Sequence, residues 1–182
     1  MNFETKLNCI DLRNITFNGS ILDVGGGGEG IISQHSGNSV IVIDKYKSEL
    51  EESPDIGVKI VMDACDLKFL DNSFDNITCF YSLMYMELYE IEKFSIEAGR
   101  VLKNGAFLWI WDVNMTLPVT DVFIVSLKIK VSDNIVITTG YGVSWKREQS
   151  ADDICEIFKK RGFEIVSTMH NFDSFSLCLR KL

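Results

Sequence analysis

Short apolar runs separated by polar turn clusters set the pattern of this chain. Residues 20–24 (Ser-Ile-Leu-Asp-Val) form the first run and end in a glycine cluster. The Val-Ile-Val-Ile of 40–43 is β-branched throughout, the composition of a strand buried on both faces. A third strand is predicted over 58–62. A fourth is predicted over 76–81, after the turn chemistry of Leu70-Asp71-Asn72-Ser73. Between the strands, helical stretches fit 29–36, stopped by Gly37-Asn38, and 45–52, stopped by Ser53-Pro54. Over 90–103, Ile91, Phe94, Ala98, Val101 and Leu102 recur at helical spacing, and Asn104-Gly105 reads as a C-cap. A fifth strand follows at 106–111. This alternation predicts an α/β fold: a doubly wound, mostly parallel sheet with helices on both faces.

The end of the chain breaks the pattern. Ser150 suits the N-cap of a helix carrying Ile154, Ile157 and Phe158, with Asp153 at the capping-box position and Gly162 closing it. Extended runs at 163–169 and 175–180 then follow. The connector between them is too short for a parallel crossover, so the two strands are expected to be antiparallel. Together with the first five they make seven strands. Residues 113–149 fit neither half. Phe123, Val125, Leu127, Ile129 and Val131 alternate with Ser126, Lys128 and Lys130, and Ser132-Asp133-Asn134 turns the chain back into 135–139. That is a β-hairpin insert. The expectation is one domain over 1–182. Residues 18–112 form its cofactor-binding half, 113–149 the hairpin on the acceptor side, and 150–182 the terminal helix and strand pair.

Composition narrows the function classes. The 182 residues hold 18 Lys+Arg against 26 Asp+Glu, a formal net charge of -8. A negative protein is a poor general ligand for phosphate backbones, so nucleic acid is an unlikely partner. The longest apolar run, 106–111, falls far short of the roughly 18 residues of a membrane span, and 1–6 lack a signal-peptide stretch. Cysteines at 9, 65, 79, 155 and 178 form no CxxC pair, and free thiols fit a reducing cytoplasm. His35 and His170 lack ligand spacing, so no metal is expected.

The strongest chemical signal is Ile21-Leu22-Asp23-Val24-Gly25-Gly26-Gly27-Gly28-Glu29-Gly30. Glycines directly after a buried strand let the backbone turn sharply and approach a ligand. Gly25, Gly27 and Gly30 match G-x-G-x-x-G, and Asp44 ends the next strand, where a carboxylate can accept from both ribose hydroxyls. That pair serves NAD or S-adenosylmethionine equally. Asp23 favours the second, because a carboxylate there holds an amino group and repels a pyrophosphate. Asp63, after the third strand, can accept from an adenine amine. The antiparallel terminal pair is also unusual for a nicotinamide enzyme.

These residues together resemble the class I S-adenosylmethionine-dependent methyltransferases, of the "methyltransferase domain 11" group. The carrying positions are Leu22-Asp23-Val24-Gly25-Gly26-Gly27, Val42-Ile43-Asp44, Asp63-Ala64, Leu70-Asp71-Asn72-Ser73-Phe74-Asp75, and Gly99-Arg100-Val101-Leu102-Lys103-Asn104-Gly105-Ala106. The resemblance implies a Rossmann-like sheet and S-adenosylmethionine as cofactor. It implies that Asp23, Gly25, Gly26, Gly27, Asp44, Lys45, Asp63, Ala64, Phe80 and Tyr81 hold that cofactor. It also implies a small-molecule methyl acceptor. Glu29 stands where the family's third glycine is usual and is expected to point toward the cofactor's amino-acid end. Methyl transfer from a sulfonium needs chiefly positioning. If the acceptor is a hydroxyl, Tyr85, Glu87 and Asp112 are the candidate bases. Trp145, Tyr141 and Phe123 place acceptor selectivity on the hairpin, with Gly140-Tyr141-Gly142 as a possible hinge. The hairpin is equally suited to covering core or forming a homodimer seam. An NAD(P)-dependent oxidoreductase and a non-catalytic binding module are the alternatives.

Overall fold

A computed structural model describes residues 2–116, 121–144 and 147–182. Strands β1 (Phe3–Glu4) and β2 (Asn8–Asp11) open the chain. The doubly wound part follows as β3 (Ile21–Val24), α1 (Ile31–Ser36), β4 (Val40–Asp44), α2 (Lys47–Glu52), β5 (Val58–Val61), β6 (Phe74–Phe80), α3 (Leu88–Val101) and β7 (Leu102–Val113). The hairpin is β8 (Val122–Lys130) and β9 (Val136–Ser144), and the chain ends in α4 (Ala151–Lys159), β10 (Phe163–Asn171) and β11 (Ser174–Lys181). The order across the main sheet is β10-β11-β7-β6-β3-β4-β5. Strands β3 to β7 pair in parallel, and β11 runs antiparallel to both β7 and β10. This is the expected seven-stranded architecture, with the terminal pair as anticipated.

Two cores flank the sheet. On one face α3 and α4 seal Ile91, Phe94, Ala98, Ile154 and Phe158 against Leu22, Ile77 and Leu108. On the other, α1 and α2 cover only part, and the hairpin covers the rest. The alternation in β8 behaves as its period demands: Phe123, Val125, Leu127 and Ile129 are buried, and Lys128 and Lys130 are exposed. The apolar stripe packs with Ile21, Val40, Phe80 and Trp111. The apolar face of β8 is therefore buried within the chain.

Three features depart from the sequence reading. Residues 2–12 carry strands, although no periodicity marks them. β1 and β2 pair in parallel with successive parts of the same edge of β8, at Phe3↔Phe123 and Asn8↔Leu127, giving a small second sheet. The helix read over 90–103 runs from Leu88 to Val101. Asn104-Gly105 does not cap it but lies in β7, where the register slips between Phe74 and Asn76 and Gly105 takes φ +79. Trp145, offered as an acceptor-side residue, lies outside the described residues.

Candidate active site

Strands β3 to β7 run parallel, and the loops after β3, β4, β5 and β6, together with the end of β9, enclose a cavity of about 650 Å³. Its floor is the glycine loop. Gly25 has φ +69, and a Cβ there would sit 2.5 Å from Ser82 Cβ, so only glycine fits beneath the turn that follows β6. A Cβ on Gly27 would run into Glu49 on α2. Four amide groups of this loop are already engaged. Gly25 and Gly26 donate to Ile43 O, Gly28 to Glu49 O and Gly30 to Gly27 O. Helix α1 spans only Ile31–Ser36. A pyrophosphate would find neither a free cradle of N–H groups nor a long helix behind it.

The wall is acidic. Asp23, Glu29, Asp44, Glu49, Glu52 and Asp63 line it, and Lys45 is the one cationic side chain among its described residues. Asp23 is 1% exposed; its Oδ1 accepts from Thr78 Oγ1 at 2.7 Å. Burial pushes its carboxyl up to about 7, against the Thr78 hydrogen bond and with help from Asp44. Asp44 is half-buried at the end of β4, and its Oδ1 accepts from Tyr46 N at 2.9 Å. Burial raises its carboxyl above the ordinary range despite that amide. Asp63 caps the turn after β5, its Oδ1 accepting from Cys65 N at 2.8 Å, with Ala64 beside it. Lys45 Nζ reaches Glu90 Oε1 at 3.5 Å and lies 5.2 Å from the Tyr46 ring centre.

The opposite wall is aromatic. Phe80 stacks edge-on to Tyr81 at 5.1 Å and lies 5.6 Å from Trp111. Tyr81 turns the chain out of β6 with φ +52, a strained conformation for an aromatic residue. Its hydroxyl bonds Ser174 Oγ at 3.0 Å, and its ring lies 5.7 Å from Tyr141 on β9. Tyr85 also faces the cavity and is 39% exposed. Burial, reinforced by Asp112, Glu49 and Glu29, pushes its hydroxyl up to about 12.

The structure brings Asp23, Gly25, Gly26, Gly27, Asp44, Lys45, Asp63, Ala64, Phe80, Tyr81 and Tyr85 to one cavity. It does not bring Glu87 or Asp112 there. Glu87 is the N-cap of α3, in a reciprocal capping box with Glu90. Asp112 is fully buried beneath the turn at 82–86. Its Oδ2 accepts from Leu83 N at 2.9 Å and Met84 N at 3.2 Å, and its Oδ1 from Gln149 Nε2 at 2.8 Å. Burial pushes its carboxyl up to about 6, opposed by those donors and by Arg147. Both acids shape the site rather than face it. Glu29 turns to the hairpin, accepting from Tyr141 Oη at 2.8 Å and from Thr139 Oγ1. Sequence reasoning passed over Glu49, one turn into a short helix without a strong period. It also passed over Arg147, whose guanidinium donates to Leu83 O at 2.9 Å and Met86 O at 3.0 Å.

Comparisons agree with this geometry. The family model described as "Methyltransferase domain" matches residues 22–110, from the glycine-loop strand to the fifth parallel strand. No curated protein sequence matches the chain significantly. Among solved structures, an S-adenosylmethionine-dependent methyltransferase from Methanosarcina mazei is similar at 20% identity and TM-score 0.66, over 92% of this chain and 94% of that one. The glycopeptide N-methyltransferase MtfA, complexed with S-adenosyl-L-homocysteine, is similar at 13% identity and TM-score 0.63, over 92% and 83%. The [4+2]-cyclase SpnF is similar at 17% identity and TM-score 0.66, over 93% and 77%. Likenesses this distant speak to the fold, which hosts more than one chemistry.

Proposed function

We infer that the chain is a class I S-adenosylmethionine-dependent methyltransferase that transfers a methyl group to a small-molecule acceptor by in-line displacement, a reading supported by the methyltransferase-domain match over residues 22–110. Its cofactor is S-adenosylmethionine. The observation that carries the reading is that Asp44, at the end of β4, and Asp63, two residues past the adjacent parallel strand β5, line one cavity with a glycine loop four of whose amides are already bonded. Two spaced carboxylates suit a ribose and an adenine amine, whereas a pyrophosphate would meet an acidic wall. Asp23 sits below the loop, suited to holding a cationic amino group through it. Phe80 and Tyr81 form the apolar side, and Ala64 leaves room for a flat ring beside Asp63.

The bound cofactor supplies the methyl group on a sulfonium that is already a good leaving group. The protein's work is therefore to orient the acceptor and exclude water. Tyr85, protonated up to about 12, orients or donates at neutral pH and does not act as a base. Among the described residues, no helix is long and apolar enough to cross a membrane. Five free cysteines support a reducing compartment such as the cytoplasm.

Titration calorimetry tests the reading. S-adenosylhomocysteine should bind, NAD should not, and Asp44→Ala should weaken binding by roughly 10- to 150-fold, the worth of a charge-assisted pair. Binding of NAD, with none of S-adenosylhomocysteine at millimolar concentration, would overturn it. A second reading, a cofactor-binding module without turnover, is favoured by the engagement of Glu87 and Asp112 in structural hydrogen bonds. Release of S-adenosylhomocysteine with any acceptor dismisses that alternative.

A further inference from the structure

We propose that the acceptor end of the cavity receives a basic amine in its cationic form, seated against Tyr85 and Tyr141 and flanked by Glu29 and Glu49. This rests on the methyltransferase reading and names its acceptor class. Two observations carry it.

The first is charge. Asp44 and Asp63 have work on the cofactor, but Glu29 and Glu49 also line the cavity, and their charges are felt at the Tyr85 hydroxyl. The one cation among the described lining residues, Lys45, is paired with Glu90, which also lines the cavity. An anionic acceptor would be repelled, and a neutral one would gain nothing from this charge. The second is the aromatic surface. Tyr85 and Tyr141 both face the cavity, and Glu29 fixes the Tyr141 hydroxyl so that the ring is held in place. Such faces attract ammonium groups and discriminate against neutral isosteres.

The group transfer balances simply. The ammonium releases one proton to Glu49, whose carboxyl is raised by burial and by Asp44, Glu52 and Glu29. The freed nitrogen lone pair forms the new N–C bond as the C–S bond breaks. That bond's electron pair remains on sulfur, and the product leaves as an N-methylammonium.

The test uses the whole chain preloaded with S-adenosylhomocysteine, whose own affinity is measured first. The probes are alkyl and arylalkyl primary amines, each matched with the alcohol and carboxylate of the same skeleton and titrated calorimetrically. Amines should bind at least about tenfold more tightly than their matched alcohols, and carboxylates not at all. Tyr85→Leu should remove most of that preference and Tyr85→Phe keep it. Glu49→Gln should weaken the amines while leaving the alcohols unchanged. Equal or better binding of the alcohols or carboxylates, or no amine binding to the loaded protein, overturns the proposal and leaves the methyltransferase reading intact. Failure of S-adenosylhomocysteine to bind removes that underlying reading instead.

Discussion

Asp23 shows what one residue in the wrong solvent does. It is sealed between Thr78 and the glycine loop, where its carboxylate lies against Gly26. In the unfolded chain it titrates at its ordinary 3.8, and in the fold at about 7. The folded state therefore binds more protons between those values. Stability from this group declines as pH rises from about 4 to about 7 and is flat above that. The penalty at pH 8 is at most about 4 kcal/mol. Asp23→Asn stays uncharged and keeps an acceptor for Thr78. Thermal melts should show it matching the parent near pH 4 and exceeding it near pH 8. A parent whose stability rises over that range relative to the variant would contradict the sign.

At the scale of elements, the turn at 82–86 is held by partners far away in sequence. Asp112 at the end of β7 takes two of its amides, Gln149 binds Asp112, and Arg147 takes two of its carbonyls. Asp112→Ala leaves several buried donors unpaired and should cost about 3 kcal/mol or more, with a drop in melting temperature of roughly 6–12 °C. The parallel strands, the terminal pair and the hairpin were legible because each carries a period or a turn that backbone geometry imposes. The residues proposed to hold the cofactor were legible as one cluster because they sit at strand ends, where order along the chain fixes place. The proposed acceptor wall was not. Glu29 depends on a hydroxyl 112 residues away on β9, and Asp112 looks like a strand-end base until its amide partners are seen. Glu87 did carry a local signal: Glu87-x-x-Glu90 before an apolar-periodic run is a capping box.

At the scale of the whole molecule, the small sheet takes the place a helical layer would occupy, and the second core depends on it. Leu127 is fully buried there. Leu127→Asp places a carboxylate in that core without a partner, and the small sheet should come away. The loss should appear as fast amide exchange across β1, β2, β8 and β9, with the β3 to β7 amides retaining protection. Uniform loss across both sheets would show instead that the two cores melt as one.

Asn8 pairs with Leu127, and the intervening residues must all be synthesised before the two can meet. At ribosomal rates of roughly 5–20 residues per second, the first strands wait on the order of ten seconds without a neighbour. During that interval the main sheet can already assemble, since β3, β4, β5 and β6 need only chain that has emerged. Parallel pairing over such a separation is also the slowest kind to nucleate. The first strands of this sequence thus find their place only after β3 to β6, which follow them in the chain, are free to pair.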